Sequence, residues 1–117
     1  MYNLAVAQKD SVSWHSVSSE TVALDHYLNR NNVEFLESEV EDVINSGIRV
    51  LILDCSSLRF LTASGLRIFL SIARKMYDAG GSVFIKGMKS QPRHMFFLCR
   101  MDSVVPMVKS ETRADAR

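Results

Sequence analysis

The chain is poor in the residues that staple or stiffen a small fold: two cysteines, two prolines and one tryptophan occur in 117 residues. So few cysteines exclude the disulfide framework of a small secreted domain. Cys55 falls at the end of a strand-like run and Cys99 within a helix-like one, both in apolar surroundings, and no spacing resembles a zinc site. No apolar run approaches the roughly 20 residues needed to cross a bilayer. Met1-Tyr2-Asn3-Leu4 lacks the charged-then-apolar order of a secretion signal. These absences point to a cytoplasmic protein with no direct membrane insertion.

An excess of one charge is missing too. The formal net charge is +1, which gives no footprint for nucleic acid or an anionic membrane. The charges are unevenly spread, with Glu34, Glu37, Glu39, Glu41 and Asp42 in one segment and Lys86, Lys89, Arg93 and Arg100 in another. These read as two solvated helix faces of opposite sign.

Catalytic signatures are also absent. There is no Gly-x-Gly-x-x-Gly turn, no Walker lysine motif and no Gly-x-Ser-x-Gly elbow around Ser64. His15, His26 and His94 are scattered, the first two on strand-like stretches, and read as surface or satisfied core histidines. Asp54 could orient a hydroxyl, but a serine nucleophile also needs a base set against it, and none is evident nearby. The expectation is a binding module, not an enzyme, with no cofactor and no metal.

What is present suits one packed α/β domain. A hydrophobic content of 47% supplies a core for a chain of this length, and there is no internal repeat or low-complexity tract. Val12–Ser18 and Thr21–Tyr27 are rich in β-formers and predict an opening strand pair. Asn31 with Glu34 resembles a capping box, opening a helix that buries Leu36, Val40, Val43 and Ile44 and stops at Gly47. Arg49–Cys55 predicts the central strand, whose unbroken Val50–Leu53 run suggests cover on both faces.

Gly65–Asp78 predicts the next helix, with Leu66, Phe69, Leu70, Ala73, Met76 and Tyr77 as its core stripe. Gly80-Gly81 turns into the strand Val83-Phe84-Ile85. Ser90 caps a third helix with Pro92 in its first turn, carrying Met95, Phe96, Leu98 and Cys99 as core packing in preference to a ligand groove. Val104-Val105 forms a short strand stopped by Pro106. The core spans about 12–108, and the polar residues 109–117 form a frayed tail.

The informative junction is the one between the central strand and the helix after it. Ser64 falls at or near the helix N-cap, where a side-chain oxygen can accept a bond from a free N–H of the first turn. Steps of three and four from Ser64 reach Arg67, Ile68, Ser71, Ile72 and Lys75, with Ile68 away from the proposed core stripe and Ile72 on its edge. Isoleucines among basic and hydroxyl residues on such a face suit docking.

A buried strand ending in Asp54, a turn, and Thr62-Ala63-Ser64-Gly65-Leu66 resemble a STAS domain, specifically the bacterial anti-sigma factor antagonists. Leu24-Asp25, or Leu28-Asn29 in a shifted register, resembles the pair before the family's first helix, with Asn31-Asn32 after it. Gly80-Gly81 with Ser82–Ile85, then Pro92–Met101 and Val104-Val105, resemble the later turn, strand, helix and strand, so the likeness runs from about Val12 to Val108.

The resemblance implies a mixed, mostly parallel sheet of about 4–5 strands flanked by helices. It also implies that Ser64, or Thr62 as second choice, is phosphorylated by a partner that is both anti-sigma factor and serine kinase of histidine-kinase-like ATPase type. A serine phosphatase would reset it. Partner contacts would fall on Asn29, Asn31, Thr62, Ala63, Ser64, Gly65, Arg67, Ile68, Ser71 and Ile72. The chain departs from the usual Asp-Ser-Ser-Gly in Thr62 and Ala63, and has Arg67 where a second glycine is common. STAS domains also serve as subunits of lipid transporters, which makes a constitutive adaptor the alternative.

Overall fold

The structure, a computed structural model, describes residues 18–108; the expected strand residues 12–17, His15 and the expected tail 109–117 lie outside them. Strands β1 (Ser19–Ala23), β2 (Val50–Asp54) and β3 (Ser82–Lys86) form a parallel sheet in the order β1-β2-β3. Helices α1 (Arg30–Asn45) and α2 (Ala63–Asp78) are the crossovers, and α3 (Ser90–Leu98) follows β3. The pairing is level: Ser19 lies opposite Val50, which lies opposite Ser82, so Ala23, Asp54 and Lys86 end at one rim.

Along β2 burial alternates, with Leu51 and Leu53 buried and Val50, Ile52 and Asp54 half-buried. The expected cover on both faces is therefore incomplete among the described residues. Two successive crossovers of one hand place α1 and α2 on the same face of the sheet. There Leu51, Leu53, Val83 and Ile85 join Leu36, Val40 and Val43 of α1 in one core. Ile44, expected in that set, is half-buried at its margin.

The buried side of α2 is Leu66, Phe69, Ile72 and Met76, rotated from the predicted stripe. Ile72 is 0% exposed, whereas Leu70 is 45% and Tyr77 79% exposed. Two apolar stripes compete on this helix, and its neighbours choose between them. α1 lies against the Ile68–Ile72 side, where Lys75 Nζ stands 3.2 Å from Glu41 Oε2 of α1, and on the α3 side Phe69 meets Phe96 edge-on, with ring centroids 5.2 Å apart.

Three local expectations change for reasons of hydrogen bonding. Asn29, not Asn31, caps α1, because Asn29 Oδ1 accepts from Asn32 N at 3.1 Å while Asn32 Oδ1 accepts from Asn29 N at 2.8 Å. Ser90 does not cap α3; Lys89 is the N-cap residue without a side-chain bond, and Ser90 adopts a left-handed φ of 57°. Val104 and Val105 form no strand, since both N–H groups bond to Met101 O, at 2.9 and 2.8 Å. The ladder resumes at Met107, where Ile85 N donates to Pro106 O and Val108 N to Ile85 O. A proline can supply a carbonyl there because only its N–H is missing. Of the expected apolar residues of α3, Phe96 is buried, while Leu98 and Cys99 are exposed.

The rotation of α2 predicts that Ile72→Ala costs about 2–5 kcal/mol, while Tyr77→Ala stays within about 0.5 kcal/mol. Urea denaturation reads both, and the opposite ranking would return Tyr77 to the core. The thiols differ in the same way. Burial first, and the Asp54 carboxylate second, push the Cys55 thiol from 9.0 up to about 12, while Cys99 is exposed. One equivalent of a thiol reagent should react with the native protein, at Cys99, and two after denaturation. The native state holds the Cys55 proton more tightly than the unfolded chain does, so this contribution to stability is complete below pH 9.0 and declines towards pH 12. Cys55→Ala should show a shallower alkaline loss.

Candidate functional site

Level parallel strands bring the loop after β1 and the loop after β2 together, and backbone bonds join them. Leu24 N donates to Asp54 O at 2.9 Å, and Arg59 N to His26 O at 2.9 Å. His26 Nδ1 lies 3.0 Å from Ser57 O, which accepts its proton. His26 thus belongs to a loop and not to the predicted strand. Asp54 Oδ1 accepts from Ser56 N at 3.1 Å, so this carboxylate shapes the turn after β2. Leu58 and Leu61 are buried and anchor the loop. The Gln91 side chain holds it from α3: its Oε1 accepts from Leu61 N at 2.8 Å and its Nε2 donates to Leu61 O at 3.0 Å.

Thr62 follows, and Thr62 is the N-cap of α2. Its backbone is extended and its Oγ1 accepts from Gly65 N at 3.0 Å. The cap expected of Ser64 is therefore made two residues earlier. A helix cap needs an extended residue whose oxygen reaches the third N–H, and Ser64 is already inside the first turn. Ser64 is exposed, and the N–H groups of Ala63 and Ser64 have no acceptor within the helix. Gly65 is buried because the site has no room: a Cβ there would lie 2.8 Å from Leu61 Cδ1 and 3.5 Å from Thr62 Oγ1.

An open groove of about 550 Å³ runs between the starts of the two crossover helices. Leu28, Asn29, Arg30, Val33 and Glu34 line one wall, and Thr62, Ser64, Gly65 and Ile68 the other. Of the residues expected at the site, Asn29, Thr62, Ser64, Gly65 and Ile68 come together here. Asn31, Ala63 and Arg67 are exposed beside it and Ser71 is half-buried, none of them lining the groove. Ile72 is withdrawn from the site altogether, its side chain being committed to the core. Arg30 and Val33 were not anticipated. The Asn29-x-x-Asn32 cap is the signal that would have started the helix early enough to expose them.

The division between neighbouring hydroxyls has a direct readout in stability. Thr62→Ala should cost about 0.5–2 kcal/mol through the lost cap, and Ser64→Ala should remain within about 0.5 kcal/mol of the parent by thermal or urea unfolding.

The chain and its fold have clear relatives. The STAS domain profile matches residues 15–114. BtrV of Bordetella bronchiseptica, named as a candidate anti-sigma factor antagonist, is 28% identical over 93 residues, covering 80% of each chain. An anti-sigma factor antagonist from Mycobacterium paratuberculosis superposes with a TM-score of 0.68 at 20% identity, over 83% of this chain and 82% of that one. The anti-sigma factor antagonist SpoIIAA in its unphosphorylated form gives 0.67 at 16% identity, over 88% and 90%. The phosphorylated form of SpoIIAA, a Bacillus protein, gives 0.63 at 17%, over 88% and 94%. With the profile spanning most of its length, and with three level parallel strands and two crossover helices, this chain belongs to the STAS domain family.

Proposed function

We propose that this chain is an anti-sigma factor antagonist that binds its anti-sigma factor through the groove between α1 and α2 and releases it when Ser64 is phosphorylated. The observation that carries this reading is the state of Ser64: exposed, in the first turn of a long helix, with its hydroxyl not serving as the cap. Thr62 is the weaker phosphoacceptor, because its oxygen holds Gly65 N and modification there would disturb the helix start.

The chemistry of the switch is local. A phosphate brings about −1.5 to −2 charges and three strong acceptor oxygens. On Ser64 it meets the free N–H groups and positive end of α2, which favour it by roughly 0.3–1 kcal/mol, so the fold keeps its shape. The cost falls on the complex, where a dianion between Ile68 and the α1 wall must be desolvated or left unpaired. A loss of about 3 kcal/mol weakens binding more than a hundredfold. The partner, a serine kinase of histidine-kinase-like ATPase type, brings the ATP; this chain is its substrate, and a serine phosphatase restores the hydroxyl.

Affinity capture from native cell extract with Ser64→Ala and Ser64→Asp baits tests the reading by mass spectrometry. The alanine bait should retain a small ATPase kinase that the aspartate bait loses. Equal retention by both baits, or transporter subunits in place of the kinase, would make the chain a constitutive adaptor and remove Ser64 from its control.

A further inference from the structure

Gln91 sits one residue into α3, far along the chain from the switch loop, yet its amide makes both hydrogen bonds that a neighbouring strand would make to Leu61. We propose that Gln91 is the positioning residue of the Ser64 loop, fixing the start of α2 through this peptide-like pair. The proposal rests on the reading of Ser64 as the switch.

Leu61 is the last residue before the Thr62 cap, and its side chain is buried beneath Gly65. Its two backbone polar groups are partly buried, so an amide that satisfies both also fixes where the cap begins. The backbone beside Gln91 is unusual. Ser90 takes a left-handed φ of 57° without being glycine, a conformation that persists only where its surroundings enforce it. Ser90 directly precedes Gln91 in the first turn of α3. The helix behind it is firmly seated, with Pro92 and Phe96 fully buried and Phe96 stacked edge-on against Phe69 of α2. The clamp therefore reaches from one rigid helix to the start of another, and the phosphoacceptor rides on its far end.

Amide hydrogen exchange of the full chain, followed by NMR, tests this directly. Gln91→Ala should lower protection about tenfold or more at Leu61, Gly65 and Leu66 together, with Leu53 in the sheet unchanged. Gln91→Glu distinguishes positioning from bulk. As a carboxylate it can only accept, and should behave like the alanine variant at pH 7; protonated at pH 4 it regains a donor and should restore protection to within about twofold of the parent. No acidic or basic side chain is buried among the described residues to obscure that titration. The charged or titratable groups nearby are Lys89 at the N-cap and Arg93 and His94 on α3, with Asp54 at the start of the loop that Gln91 holds and Arg59 within it, so the parent protein is measured at both pH values as the reference.

Loss confined to Leu61, equal loss at Leu53, or a Gln91→Glu variant unprotected at both pH values would each overturn the proposal. In the Ser64→Ala bait, Gln91→Ala should also cut partner recovery by about tenfold; unchanged recovery alongside lost exchange protection would overturn the groove as the partner's binding site and not the clamp. Exchange needs no partner, so failure of the clamp and failure of the switch are read separately.

Discussion

Level parallel pairing is the constraint from which the rest of this molecule follows. A parallel strand cannot return by a tight turn, so each of the first two strands is followed by a helix that carries the chain back along the sheet. All the strand ends then lie at one rim, and Ala23, Asp54 and Lys86 do so in register. Every loop that leaves this rim must find partners for its own backbone beyond the last strand residue. Bonds such as Leu24 N to Asp54 O and Cys55 N to Lys86 O continue the sheet pattern into the loops and supply them. The groove at the helix starts is a geometric consequence of the same arrangement.

Within that frame, packing rather than charge sets the position of α2. The exposed Lys75–Glu41 pair contributes at most about 1 kcal/mol. Burial of Phe69, Ile72 and Met76 is worth about 1.5–3 kcal/mol for each side chain, and the Phe69–Phe96 contact adds roughly 0.5–1.5 kcal/mol beyond area. The glycines act where backbones come close. A Cβ on Gly81 would stand 2.6 Å from Arg49 O, so the turn into β3 can press against the start of β2 only with glycine there.

The sequence was most legible where one pattern had one solution. The Val50–Leu53 run, the Ser64-Gly65 junction and the Gly80-Gly81 turn all located their elements to within a residue or two. Legibility failed where local spacing permitted two answers and distant residues decided. On α2 the stripe through Tyr77 and the stripe through Ile72 are equally helical, and only α1 and α3 choose between them. The caps failed differently. Asn29, Asn31 and Asn32 are chemically alike, as are Thr62 and Ser64, and what separates them is which residue is still extended when the helix begins. Gln91 had no local signal at all, because its partner lies 30 residues away.

Thr62 and Ser64 share one turn but answer to different demands. The cap oxygen belongs to folding, while the exposed hydroxyl beside it has no task in holding the helix. A molecule built in this way can change the chemistry of one without drawing on the other. Under the proposed switch the modified form would be no less durable against unfolding and proteolysis than the unmodified one, and whatever memory the chain carries would last as long as the ester bond on Ser64 and no longer.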